Sequence, residues 1–457
     1  MAILRAGIFI MLCILSGCAG VSPTSSSYDT VKMNDFSNLV ISDKDKIIEP
    51  IDENITLDDC LKIAFANNPE LSAASWEISA ADFRIEQTRA NKMPILNVEG
   101  VYARFLDNQR LIQARFNGEP GDFDRNILRG DIVVKMPIYT GGRISNEIES
   151  MELFRNVDEY LMAWKKEELI FNISSVFYTI LGQQKVIVSL EFSIKAMDEQ
   201  LRRVSNLFAA QKAAKLDILK IEVRLADLKQ NLIKEKNKLA VQYILLSSLM
   251  GITKEKLNAK GELVFKDTSF TFDELITQAK TKRYDYMAAK AKLEAQTKKV
   301  NIIKSAKLPS VSLQGNYGFR ADFNGNSDDT GSLGVNLTVP IFEGNKTDFR
   351  IKEELALLSA AQQKLRKMEL QIHQDVKSAL LDVVSIRERI KVTEKSIEQA
   401  HESLRIERQK YELNMNSTTD MLDAQDVLLQ SETLYYRALV EYFIAIAKMN
   451  LAIGGLL

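Results

Sequence analysis

The sequence predicts a mainly α-helical protein with a small β part, a tandem-repeat protomer of long antiparallel coiled-coil hairpins plus four strands. Three observations carry that reading. First, breakers are scarce and unevenly placed: the 457 residues hold eight prolines and twenty glycines, with neither between Asn345 and Ile453 and only Gly182 between Arg143 and Met250. Ordinary helices run ~10–14 residues, so such stretches indicate very long helices or coiled coils. Second, most of the chain is written twice. Third, at matching places in both copies the apolar period changes from helical to two.

Composition narrows the class. With 46% hydrophobic and 26% charged residues and a net charge of −1, the chain is neither a disordered polyelectrolyte nor a nucleic-acid binder with a broad basic surface. The N-terminus reads as an export signal, residues 1–17: Arg5 provides the positive charge and "AGIFIMLCIL" a short apolar core. That core is too short to span a bilayer. Leu15-Ser16-Gly17-Cys18 resembles a bacterial lipobox, which implies acylation of Cys18 as the new N-terminus. The alternative is an ordinary signal with Cys18 incidental. Ala19 rather than Asp follows the cysteine, and by resemblance to known sorting rules this favours the outer membrane. Residues 18–55 form a lipidated leader. Cys60 is then the only other cysteine retained, so no disulfide framework or cysteine metal site can be built.

The first repeat covers 56–255 and the second 271–457. Shifting by 215 places Thr56, Asp58, Ala64, Lys92 and Pro94 on Thr271, Asp273, Ala279, Lys307 and Pro309. A shift of 203 then places Pro137, Gly141, Leu201, Asp217 and Gly251 on Pro340, Gly344, Leu404, Asp420 and Gly454. The register changes between Gly100 and Pro137, as a surface loop of altered length would. Each repeat opens with a helical stretch, 57–92 and 272–307, ended by Pro94 or Pro309. Strands follow at about 95–105 and 128–138, and at about 310–320 and 332–341. In "SVSLQGNYGFR", Val311, Leu313, Tyr317 and Phe319 share one face against Ser312, Gln314, Asn316 and Arg320. "SLGVNLTVPI" alternates in the same way, 128–138 comparably and 95–105 less cleanly.

About ten residues is the length a tilted strand needs to cross a bilayer. A membrane sheet must close, because edge groups in lipid have no other partner, and closure takes about eight strands. Four are too few, so several chains contribute to one barrel. A soluble four-stranded sheet capping a helical body is the alternative.

"PIYTGGR" and "PIFEGNK" turn the chain into hairpins at 143–250 and 345–453. In the first, Ile173, Ile180, Ile187, Ile194, Leu201 and Phe208 recur every seven residues, and the second repeats the rhythm at Val376, Val383, Ile390, Ile397, Leu404 and Tyr411. The returning limbs carry Ile218, Leu225, Leu232, Leu239, Leu246 and Met421, Leu428, Tyr435, Tyr442, Met449. A sustained heptad indicates supercoiled packing. One narrow seam with much wet surface suits the wall of a hollow tube; a solid coiled-coil rod is the other possibility.

The doubled strand–strand–hairpin unit, the strand-to-helix turns at Pro137, Gly141, Pro340 and Gly344, and the far turn resemble the TolC family of bacterial outer-membrane efflux and secretion channels. The family's turn motif falls on Tyr411, Asn414, Ser417 and Asp420, with Asn414 replacing a glycine. The resemblance implies a homotrimer with a twelve-stranded outer-membrane barrel and a periplasmic α-helical tunnel in a Gram-negative cell. Its implied partners are outer-membrane lipid, a periplasmic adaptor, and an inner-membrane pump or secretion transporter. Function is then a passive conduit of a tripartite efflux pump or type I secretion system, gated at the periplasmic tip by rings of Asp420 and Asp423. Capping of a helix by Asp420 is the plainer reading for that residue, since Asp217 matches it.

"NMNSTTDMLDAQD" (414–426) sets Asp420, Asp423 and Asp426 three apart, which predicts carboxylates leaning the same way. Their repeat partners are Asp217, Lys220 and Val223, so acid at the last two positions belongs to one hairpin. A periplasmic adaptor lipoprotein is the rival function, with one hairpin in a β-rich body; a coiled-coil scaffold is third. No catalytic constellation, phosphate loop or metal motif is present: His373 and His401 stand alone, and the methionines are scattered. No enzyme activity, cofactor or nucleic-acid partner is expected.

Overall fold

The computed structural model describes residues 54–455 except 115, 254–256, 268 and 414. The export signal, Cys18, nearly all the leader and Asn414 lie outside the described residues. Two units are present, a sheet formed by Lys92–Thr140 and Pro309–Val339, and a helical unit formed by the rest.

In the sheet unit, β2 (Ile95–Arg110), β3 (Phe123–Tyr139), β5 (Ser310–Ala321) and β6 (Ser327–Thr338) form one antiparallel sheet in that order. The first two strands are 16 and 17 residues long and the last two 12, longer than expected because pairing continues into the loop-side residues. A tight turn makes this possible between β5 and β6, where the Asp322 carboxylate accepts the Asn324 and Asn326 amides at 2.9 and 2.8 Å. At its other end β6 stops at Thr338, short of the expected 341, because Pro340 has no N–H to pair. Register confirms one-sided polarity. Ile132 faces Tyr317, and Leu313 faces Val335, with Leu337 opposite Val311. This apolar face is bare: Val98 is 81% and Leu333 79% exposed. The opposite face is polar, and there Asp131 is buried under Arg129 and Arg320, the latter at 2.9 Å. β2 and β6 each have one edge without a strand partner among the described residues.

The helical unit corrects one expectation. The opening stretch of each repeat is two helices, α1 (Leu57–Asn67) with α2 (Pro69–Ala90), and α5 (Phe272–Lys282) with α6 (Tyr284–Ser305). Pro69 forces the residue before it out of the helical region, and Asn68 sits at ψ 121°. Its carboxamide oxygen caps Glu70 and Leu71, while its nitrogen donates to the Leu249 carbonyl at 2.9 Å. Arg283 holds the same place in the second repeat, where no proline marks the break. Its buried guanidinium pairs with Asp285 and Asp375 at 2.9 Å each, reaches the Ala452 carbonyl at 3.4 Å and lies 5.1 Å from the Trp164 ring. Both junctions thus grip the last turn of a hairpin.

Those hairpins are α3 (Arg143–Ala209) with α4 (Lys215–Leu249), and α7 (Lys346–Glu412) with α8 (Thr418–Ile453). Each outgoing helix has 67 residues, about 100 Å at 1.5 Å per residue. The expected seam is buried at Ile173, Ile180, Val376, Val383 and Ile390, and the small residues Ala438 and Ala445 bury beside it. At Gly182, the lone glycine of the first hairpin, α3 lies close against α8: a Cβ there would lie 2.1 Å from Val440 Cγ2. The heptad is less complete in α4, where Leu232 and Leu239 are half-buried, and Phe208 at the end of α3 is exposed. Around the unit α2 packs on α3, α3 on α6 and α6 on α7. The outer face of α2, with Trp76 and Phe83, and the start of α7, with Phe349, stay exposed. A two-residue parallel pair, β1 (Asn54–Ile55) with β4 (Asn258–Ala259), ties the segment just before α1 to the linker between repeats. Two hairpins in tandem, with no β-rich body among the described residues, do not match the adaptor alternative.

Asn68→Ala should destabilise the protein by about 1–2 kcal/mol, the value of one N-cap plus one interhelical hydrogen bond. Asn68→Asp keeps the cap and loses the donor, so its loss should be roughly half that. Thermal unfolding followed by helical circular dichroism should rank wild type above Asn68→Asp above Asn68→Ala.

Candidate functional site

The starts of α4 and α8 lie side by side. Ile221 and Leu225 from one and Met421 and Leu422 from the other share an apolar cluster with Val204, and Tyr411 packs against its edge. Polar ties surround this cluster. Lys220 Nζ donates to Thr419 Oγ1 at 2.8 Å, Arg203 pairs with Glu412 at 3.2 Å, and Arg224 pairs with Asp426. Each tie joins the first hairpin to the second.

Local sequence explains the second turn. Ser417 has extended backbone and caps α8: Asp420 N–H donates to its hydroxyl at 3.3 Å, and the Asp420 carboxylate accepts the Ser417 amide and hydroxyl at 3.0 and 2.8 Å. Those two bonds, the amide first, hold the exposed Asp420 carboxyl below the usual aspartate range. A depressed folded-state value means that the cap acts at neutral pH and is lost only as pH falls through that value. Asp217 likewise accepts the Ala214 amide at 3.2 Å, although alanine provides no hydroxyl in return. Asn416 closes the turn by donating to the Glu407 carbonyl at 3.1 Å. Asn414 lies outside the described residues, but its repeat partner Gln211 has φ +57°, the left-handed backbone that the motif's glycine position requires.

The three aspartates do not share a face. Three residues advance about 300° around a helix, so successive members of such a series drift by about 60°. Asp420 and Asp423 are exposed, while Asp426 has turned half-buried against α4 and Arg224. Burial pushes the Asp426 carboxyl up, Asp423 and Asp227 add to the rise, and Arg224 opposes it. Asp423 has no hydrogen-bond or ion-pair partner among the described residues. Sequence reasoning missed Arg224 and Asn416. The only signal for Arg224 was its position beside Lys220 and Val223, where the two repeats differ in charge.

The strand-to-helix turns follow the shared motif through different contacts. Gly141 (φ +62°) combines left-handed backbone with close packing, since a Cβ would lie 2.7 Å from Leu308 Cβ. Gly344 (φ +61°) has the same backbone with open space around it. Pro137 lies at an irregularity in the β3–β5 register, and Pro340 lies just beyond the end of β6. Cys60 is fully buried, and burial pushes its thiol up to about 12, which makes it unreactive. His373 and His401 are both exposed, the former 5.0 Å from the Phe272 ring. Among the described residues no helix is long and apolar enough to cross a membrane, which says nothing of a β-barrel.

The sequence profile of the family described as "Outer membrane efflux protein" matches residues 60–252 and 275–455. The chain is 21% identical to outer membrane protein TolC of Vibrio cholerae over 399 residues, 85% of this chain and 88% of that one. It is also 21% identical to nodulation protein T of Rhizobium leguminosarum bv. trifolii over 407 residues, 85% and 83% of the two chains. In structure it is similar to the Campylobacter jejuni CmeC outer membrane channel, with a TM-score of 0.74 at 16% identity over 96% of this chain and 91% of that one.

Gly141→Ala meets both left-handed strain and the Leu308 contact, whereas Gly344→Ala meets the strain alone. The second should lose about 1–2 kcal/mol and the first about 1–3 kcal/mol more, the range for overpacking. Comparing thermal unfolding of the two purified variants isolates the packing contribution.

Proposed function

The chain belongs to the outer membrane efflux protein family, and from that premise we propose that three copies close into one channel that carries solutes passively from periplasm to exterior. The observation that carries this is the sheet, bare and apolar on one face, with β2 and β6 each lacking a strand partner along one edge among the described residues. In hydrocarbon those edge amides and carbonyls must find strands, and the order β2-β3-β5-β6 lets β6 of one copy meet β2 of the next. Three copies make a twelve-stranded wall, above the ~8 strands that closure requires. Leu96, Val98, Ile132, Tyr317 and Leu333 then face lipid, and Asp131 with its arginines faces the lumen. Energy comes from an inner-membrane pump or type I secretion transporter, joined through a periplasmic adaptor. Acyl groups on Cys18 anchor each copy.

The turns of the second hairpin form the gate. Asp420 and Asp423 from three copies make a ring that favours cations and whose mutual repulsion opposes closure. Arg224, Lys220 and Arg203 oppose that repulsion by tying α8 and α7 to the first hairpin. Asp426 takes up its proton at higher pH than an ordinary aspartate, because of burial. As pH falls, the Arg224 tie is therefore lost while Asp420, held below the usual range, is still charged.

Single-channel recording in planar bilayers, with oligomer mass from the same sample, tests this reading. Wild type should conduct as a trimer and prefer cations. Asp420→Ala/Asp423→Ala should lose most of that preference and the block by divalent cations. Acidification should raise the open fraction of wild type, and Arg224→Gln should raise it at neutral pH and abolish the pH response. An unchanged cation preference in the double alanine variant removes the gate assignment. Palmitate labelling should be lost in Cys18→Ser, and retained label would remove the anchor.

A further inference from the structure

The segment that leaves β6 and begins α7 carries an amphipathic patch that packing within the protomer does not use. Ile341 is 94%, Phe342 81% and Phe349 63% exposed. Among them stand Lys346, Arg350 and Lys352, all exposed and without an ion-pair partner among the described residues; Lys352 lies 5.5 Å from the Phe349 ring. Most neighbouring acids are engaged elsewhere. Glu343 accepts the Thr347 hydroxyl at 2.5 Å, Asp348 pairs with Lys307 at 2.5 Å, and Glu354 accepts the Gln296 amide at 2.7 Å. Glu353 is the acid left exposed.

The first repeat shows what this segment looks like when it serves the fold alone. At the shift of 203, Lys346, Arg350 and Lys352 correspond to Arg143, Glu147 and Glu149. There Arg143 pairs with Glu147 at 2.8 Å, and Glu149 pairs with Lys298. The second repeat has exchanged both acids for cations, and these make no ion pair among the described residues, Glu353 included. Its partner therefore lies outside the protomer. The apolar alternation of Leu333, Val335, Leu337 and Val339 continues in sequence to Ile341, so the patch follows directly on the row assigned above to lipid. Aromatic and basic side chains together, next to a membrane-crossing segment, match the boundary where acyl chains give way to phosphates.

We propose that Lys346, Arg350 and Lys352, with Phe342 and Phe349, form a docking surface for anionic phospholipid headgroups of the periplasmic leaflet. The inference rests on the membrane reading above. The rings sit among the upper acyl carbons and the three cations meet phosphate.

The test uses full-length protein in nanodiscs of phosphatidylcholine and phosphatidylglycerol in equal parts, with lipids retained on release counted by native mass spectrometry. Wild type should retain phosphatidylglycerol preferentially. Lys346→Gln/Arg350→Gln/Lys352→Gln should lose that preference by roughly five-fold per charge removed, with its oligomer mass unchanged. The charge-conserving Lys346→Arg/Arg350→Lys/Lys352→Arg should keep it, as should Lys212→Gln/Lys215→Gln at the first hairpin turn. A wild type that conducts in planar bilayers yet shows no preference overturns this inference and leaves the channel standing; a wild type that neither inserts nor conducts overturns both. Preference intact in the triple glutamine variant, or displacement by free inorganic phosphate, overturns the lipid assignment. Dissociation of that variant into single copies assigns the patch to a second copy instead.

Discussion

A strand edge that enters hydrocarbon must find another strand, because lipid offers no hydrogen-bond partner to its amides and carbonyls. Much of this protein follows from that constraint. Four strands cannot close on themselves, and the two outer edges have no strand partner among the described residues. The sheet is also one-sided, with Leu, Val, Ile and aromatic residues bare on one face and the charged cluster around Asp131 on the other. Neither feature would make sense in water. A bare apolar face is a liability in a soluble protein, and in the proposed channel it is the surface that meets lipid.

The helical unit solves one mechanical problem twice with different chemistry. A long hairpin must be gripped where it returns, and the break in the opening helix pair does this in both repeats. Asn68 does it as a neutral cap and hydrogen-bond donor, while Arg283 does it as a buried cation held by two carboxylates. The strand-to-helix turns diverge in a similar way: Gly142 in one repeat corresponds to Asn345 in the other, both with left-handed backbone. Duplication conserved the geometry and left the side chains free to change.

Where the repeats differ in charge, they divide labour. At the far turns the first hairpin contributes Lys220 and Arg224 and the second contributes Thr419 and Asp426, so the hairpins are tied to each other within a protomer. At the start of the outgoing helices the acids of the first repeat are paired internally, and the cations of the second have no ion-pair partner among the described residues.

The amino-acid sequence by itself determined the hairpins, most of the heptad seams and the strand faces, since each is written in spacings of seven or two residues along a contiguous stretch. Asp420 as a cap was legible for the same reason, being three residues from Ser417. Pro69 marks the break of the first opening helix in the sequence, but only the tertiary structure decided the second, since Arg283 takes up its break through contacts with Asp375 and Ala452, both remote in sequence. Nor could spacing reveal that Asp426 leaves its neighbours for Arg224, or that Gly182 exists to admit Val440. Those outcomes depend on which helix lies opposite. Periodicity states that a face will be covered, and packing chooses what covers it.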